Sequence, residues 1–115
     1  MSLESKQPVD HAMRTAYRLV QAGPPQRAPL IPWLARSLAM SERTMRRRFH
    51  ESFGYGPKTL SRILRYQRFL LLSATSQSSM AVLASEAGYA DQAHLVRESR
   101  RISGLTPKSQ RSRFV

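Results

Sequence analysis

The chain has 115 residues, 41% of them hydrophobic, which suits one domain or two very small ones with a packed core and excludes wholesale disorder. Its 19 Lys+Arg against 7 Asp+Glu leave a formal charge of +12, and 16 of the cations are arginine, a bias toward planar, bidentate contact with phosphate or base edges. The lack of cysteine excludes disulfides, thiolate zinc sites and cysteine nucleophiles, and no apolar run approaches the roughly 18 residues of a membrane span.

Residues 1–9 read as a lead-in, tag-derived or disordered. They include Glu4 and Lys6 and no apolar block, so no secretory leader is visible and a reduced, cytoplasmic setting is expected. Residues 10–21 read as a helix, with Met13, Ala16, Tyr17 and Val20 on one stripe. Gly23-Pro24-Pro25 stops it, and a loop follows through Pro29. A short helix is predicted over 31–38, with Pro32 tolerated in its first turn, then a tight turn at Ala39-Met40. Ser41 is a good N-cap for a helix running to Phe53 and stopped by Gly54. Pro57 opens a long helix over 57–76, with an apolar face of Leu60, Ile63, Leu64, Leu71 and Ala74 and a basic side of Lys58, Arg62, Arg65 and Arg68. After Ser76-Gln77-Ser78-Ser79 come a short helix over 80–87, a turn at Gly88, and a helix over 92–103 capped by Asp91 and closed by Gly104. Thr106-Pro107 opens a last short helix carrying Lys108, Arg111 and Arg113. The expected fold is all-α, with no convincing strand.

An internal repeat organises these elements. Gly54-x-x-Pro57-Lys58 recurs as Gly104-x-x-Pro107-Lys108 at an offset of 50, and Leu34-Ala35 recurs as Leu83-Ala84 at an offset of 49. Between these anchors Met45 matches Leu95 and Arg47 matches Arg97. Each copy is a short helix, a tight turn and a longer cationic helix, the outline of a helix-turn-helix. The division follows: a first helix-turn-helix over 10–56, a connecting helix over 57–76 and a second helix-turn-helix over 77–115.

These residues resemble the DNA-binding domain of AraC/XylS-type transcription regulators over about Asp10 to Phe114. The likeness is carried by Leu34-Ala35, Met40-Ser41, Met45-x-Arg47-x-Phe49, Gly54 and Pro57. In the second half it is carried by Ala84-x-x-Ala87-Gly88-Tyr89-Ala90-Asp91, Leu95-x-Arg97 and Gly104-Leu105-Thr106-Pro107. The family's fold, two helix-turn-helix units bridged by a long helix, is the layout that the Gly and Pro punctuation suggests independently. Three departures stand out: Ser99 and Leu95 where the family tends to carry aromatics, and Phe69 where it tends to carry a small residue. They bear on how the second unit packs around its recognition helix.

In a helix-turn-helix the early outward residues of the second helix meet base edges. The base-edge candidates are Arg43, Arg46 and Arg47 in the first unit and Gln92, Ala93, His94 and Arg97 in the second. Phosphate-contact candidates are Ser41, Arg48, His50, Arg100, Arg101, Lys108 and Arg111. Glu98 is unfavourable beside phosphate unless it faces away. The resemblance implies sequence-specific double-stranded DNA binding for transcription regulation, as an activator in the cytoplasm, with one recognition helix in each of two successive major grooves. Double-stranded DNA is the expected partner, with RNA polymerase a further candidate. The domain is expected to be monomeric, with any dimerisation of a longer protein left to a domain outside this sequence. The alternative is a non-specific basic helical protein binding RNA or DNA by charge alone. A helical bundle for protein contacts, with no affinity for DNA, is a third class.

Other readings are bland. Arg62, Arg65 and Arg68 read as surface residues or intramolecular partners, and Trp33 and Tyr89 as packing residues. His11, His50 and His94 lack ligand spacing, so no metal is expected, and no cofactor motif is present. The seven acids form no evident pair and no nucleophile motif appears, so an enzyme is not expected.

Overall fold

A computed structural model of the chain describes residues 10–112. The lead-in and Arg113 lie outside the described residues. Among the described residues seven α-helices follow one another: α1 His11–Ala22, α2 Leu30–Leu38, α3 Glu42–Phe53, α4 Pro57–Thr75, α5 Met80–Ala87, α6 Gln92–Ser103 and α7 Pro107–Ser112. No strand occurs among the described residues, and the two helix-turn-helix units, α2–α3 and α5–α6, are both present. The stretch read as loop before α2 contains one 3-10 turn, Pro25–Arg27. Gln26 and Arg27 there adopt left-handed backbone, φ 49° and 60°, which no Gly or Asn announced.

The punctuation works through hydrogen bonds. Asp10, Ser41, Ser79 and Asp91 each cap a helix by accepting the backbone N–H three residues on, each cap worth about 1 kcal/mol. Gly54 and Gly104, at φ 86° and 78°, close α3 and α6 by donating their N–H to His50 and Arg100 carbonyls. The two tight turns share one geometry: Met40 N–H donates to Ala35 O at 3.0 Å, and Tyr89 N–H to Ala84 O at 2.9 Å. They differ by one residue. Met40 alone separates the left-handed Ala39 from the cap Ser41, whereas Tyr89 and Ala90 separate Gly88 from Asp91. This is where the repeat offset changes from 49 to 50, and the additional Ala90 N–H finds His94 Nδ1 at 3.4 Å.

The chain divides into two compact units between Ser61 and Arg62, inside α4. In the first, α1 packs on α2 and α3, and Met13, Ala16, Leu34, Met45 and Phe49 are buried in it. Phe53 adds an aromatic layer, its ring 5.2 Å from Phe49 and 6.3 Å from Tyr17. In the second, Tyr66 and Phe69 of α4 join Leu83, Ala84, Ala87, Tyr89 and Leu95 in one core.

Burial along α4 departs from the face expected from spacing. Leu60 and Leu64 are buried and Ile63 is half-buried, but Leu71 is 66% exposed and Ala74 is exposed too. Leu71 lies seven residues from Leu64, on the same stripe, yet past Arg62 the buried positions are Tyr66, Phe69 and Ser73 on another stripe. A single helix serving two units changes its buried side, and one hydrophobic periodicity cannot describe it. Phe69 is fully buried in the same unit as the fully buried Ser99, so large and small residues stand exchanged relative to the pattern the resemblance implied.

Two outcomes follow. Phe69→Ala is expected to lower stability by about 3–5 kcal/mol, whereas Leu71→Ala should stay within about 0.5 kcal/mol, read by urea denaturation; equal effects would contradict the change of face. The Tyr89 hydroxyl is buried with no hydrogen-bond partner among the described residues. Burial foremost pushes its pKa from 10.0 up to about 12, with Glu98 and Tyr66 reinforcing and Arg65 opposing. A phenol whose folded-state pKa is raised gives stability that is fully present below pH 10 and lost as pH climbs toward 12. Tyr89→Phe is expected to be neutral or stabilising by up to about 1 kcal/mol at pH 7, and to lessen that alkaline loss in pH-dependent melting. A Phe variant clearly weaker at pH 7 would mean that the hydroxyl is bonded.

Candidate nucleic-acid interface

In the first unit, Met45 and Phe49, one turn apart on α3, are fully buried and fix the rotation of the helix about its axis. That rotation leaves Arg43, Arg46 and Arg47 exposed on its other faces. Arg46 lies 3.9 Å from Glu42 and Arg47 3.3 Å from Glu51. Both are exposed pairs one turn apart on the helix, worth about 0.3–0.5 kcal/mol, so a stronger anion can displace them. Arg43 has no acidic partner among the described residues. The first turn of α3, with Ser41 accepting from Thr44 N–H at 3.1 Å, is therefore rigid in backbone and open in side chain.

Arg48 and His50 are placed differently from each other. Arg48 is partly buried and its guanidinium pairs with the carboxylate of Asp10, the cap of α1. Met13 N–H foremost, against partial burial, and then Arg48 hold the Asp10 carboxyl below its ordinary 3.8. His50 is exposed.

In the second unit Leu95 and Ser99 take the inward positions of α6, both fully buried. Ser99 cannot fill an aromatic's space, and it is held by polarity instead. Its hydroxyl donates to Leu105 O at 2.7 Å and lies 3.3 Å from the Tyr66 hydroxyl, which also donates to Ser103 Oγ at 3.0 Å. Gln92, Ala93 and Arg97 are exposed, as are Arg100 and Arg101. His94 is half-buried, its ring edge-on to Tyr89 at 5.1 Å and its Nδ1 accepting from Ala90 N–H. Glu98 faces inward: it is 6% exposed, paired with Arg62 at 3.0 Å and with Arg101 at 3.7 Å.

The arginines of α4 are intramolecular partners. Besides the Arg62 pair, the Arg65 guanidinium lies 5.5 Å from the Tyr89 ring centroid and Arg68 donates to Ala87 O at 3.2 Å. The signal in the sequence was their three-residue spacing on one side of a helix. Arg111 is half-buried and donates to Ser76 O at 2.7 Å, which ties α7 to the segment after α4. Lys108 is exposed. Trp33 is half-buried, and Tyr89 is buried in the core of the second unit. Among the described residues no group of His, Asp and Glu is placed to hold a metal, and no helix is long and apolar enough to cross a membrane.

The arrangement is two short, N-capped helices, each held from behind by its own unit and each presenting polar and cationic side chains in its first turns. Residues 34–113 match the family model described as a helix-turn-helix domain. None of the curated proteins is significantly similar to the chain. Solved structures share its fold. The C-terminal domain of AraT, a response regulator from Geobacillus stearothermophilus, superposes with a TM-score of 0.83 at 18% identity, covering 93% of this chain and 88% of that one. A transcriptional regulator with an AraC-type DNA-binding domain from Chromobacterium violaceum gives 0.80 at 20% identity, covering 90% and 92%. The DNA-binding domain of the global transcriptional factor AdpA, solved with a target DNA, gives 0.75 at 24% identity, covering 95% and 94%.

Proposed function

The chain belongs to the AraC-type helix-turn-helix family of DNA-binding transcription regulators, and from that membership we propose that it reads a specific double-stranded DNA sequence with α3 and α6 in successive major grooves. The observation that carries this reading is the repeated geometry. Two 12-residue helices, each capped at its N-terminus and pinned by fully buried residues, leave their early positions open to a ligand. The polyanionic nature of that ligand follows from the net charge of +12.

In α3, Arg43, Arg46 and Arg47 reach base edges, with guanine O6 and N7 as their best match. In α6, Gln92 suits adenine, Ala93 a thymine methyl, and Arg97 guanine. His94 contributes less, because one ring nitrogen already serves the turn. Phosphate contacts come from His50, Arg100, Arg101, Lys108 and the backbone around Ser41. Arg48 and Arg111 act mainly by holding the framework, through Asp10 and Ser76. The connecting helix has 19 residues, about 28 Å at 1.5 Å per residue, against a groove repeat of about 34 Å. The site is then asymmetric and read by a monomer. RNA polymerase as a second partner, an activating role and a cytoplasmic setting go with this reading.

Selection of bound sequences from a random duplex library should return an asymmetric motif, with affinity at physiological salt at least about 10³-fold above random DNA. A ratio near one would favour the charge-only alternative. On the selected site Arg46→Ala should cost about 1–3 kcal/mol and relax preference at one or two base pairs, whereas Arg100→Ala should weaken all sequences alike and lower the salt slope by about one. Uniform loss in both variants would remove Arg46 from base readout.

A further inference from the structure

We propose that the Arg62–Glu98 pair is a latch that sets the pose of the second recognition helix, so that specificity in the second half of the DNA site depends on two residues that touch no DNA. The proposal rests on the reading that α6 contacts bases. It also answers a difference between the two units. The inward face of α3 carries the fully buried Phe49, whereas α6 carries Ser99 at the matching position, 50 residues on. A helix without an aromatic wedge is poorly fixed by packing alone, since apolar contact is non-directional.

Directional contacts replace the wedge: beside the Ser99 bond to Leu105 O and the Tyr66 hydroxyl network, three come from arginines of one helix. Arg62 of α4 pairs with Glu98 in α6, Arg65 lies over the Tyr89 ring in the turn, and Arg68 donates to Ala87 O at the C-terminal end of α5. The supporting helix, the turn and the recognition helix are thus each gripped by one arginine. Gly88 sits between two of them: a Cβ there would lie 3.6 Å from Arg68 Nη1 and 3.8 Å from Arg65 Nε. Among the three arginine contacts the Arg62–Glu98 pair is the one that ends on the recognition helix itself. Its carboxylate is the more buried partner, with the Glu98 side chain 7% exposed and that of Arg62 32%.

The internal repeat supports this assignment. Position 98 corresponds to position 48, and Arg48 is likewise tied to another helix of its own unit, through Asp10 at the cap of α1. Both recognition helices therefore carry a charged residue at the same repeat position, pointing away from the outward face, with opposite sign. In α3 it supplements an aromatic anchor; in α6 it stands in for one.

The test uses the whole chain and the duplex selected above, beside the same duplex with its second half scrambled. The double variant Arg62→Met/Glu98→Leu removes one charge of each sign, so net charge and non-specific affinity are preserved, and paired apolar replacement of a buried ion pair is compatible with folding. Circular dichroism checks that it folds. The wild type should lose affinity on scrambling, and the double variant should lose roughly tenfold less, because its second head no longer reads. Single variants Glu98→Gln and Arg62→Met should show the same insensitivity, while Arg62→Lys, which keeps the charge, should restore part of the penalty. A folded double variant with the wild-type penalty overturns the latch. If the wild type is itself indifferent to scrambling, the two-headed reading fails. Amide exchange of the free proteins then decides the latch separately: faster exchange along α6 than along α3 in the double variant supports it, and unchanged exchange overturns it.

Discussion

A reading helix must expose its charge on one side while being held on the other, and everything else in this molecule serves that constraint. Neither α3 nor α6, at 12 residues, is long enough to be stable alone in water. Their composition makes matters worse. Arg46 and Arg47 lie three and four residues after Arg43 on α3, and Arg100 and Arg101 three and four after Arg97 on α6. Like charges at this spacing oppose helix formation, so the restoring force has to come from the inward face and from the caps. Met45, Phe49 and Leu95 supply burial, and Ser41 and Asp91 fix where each helix starts.

The two units satisfy the constraint by different means. The first relies on aromatic packing: Phe49 is fully buried and Phe53 links it to Tyr17 and Tyr55. The second relies on a polar network in which Ser99, Ser103 and Tyr66 share hydrogen bonds and Glu98 meets Arg62. Packing is insensitive to salt and pH, while a network of hydrogen bonds and charges is directional and stands or falls as a set. The division of the chain inside α4 gives that helix a part in both solutions: its Leu60 belongs to the first unit, its Tyr66 and Phe69 to the second.

Much of this was legible in the sequence, because the signals were local. Caps, Gly stops and Pro starts sit within three residues of what they terminate. What was not legible depended on a partner far along the chain. Spacing alone placed Leu71 with Leu64, because nothing local records that the buried side of α4 changes past Arg62. Glu98 looked like a liability on a DNA-facing helix until Arg62, 36 residues earlier, was seen to receive it. Arg48 and Arg111 have the composition of phosphate contacts, yet Asp10 and the Ser76 carbonyl already hold them. The left-handed Gln26 and Arg27 lack the Gly or Asn that announces such backbone.

Burial, rather than charge, therefore sorts these arginines by task. Arg62 faces the buried carboxylate of Glu98, where removing either member leaves an uncompensated charge and a large penalty, and Arg48, its own side chain 28% exposed, pairs with the exposed Asp10. Arg46 and Arg47 face Glu42 and Glu51 in open solvent, where the pairing is worth little and does not hold the guanidinium groups. The exposed pairs also limit repulsion along α3. In this chain an arginine builds the frame when its own side chain is partly buried, and remains open to a ligand when that side chain is wet.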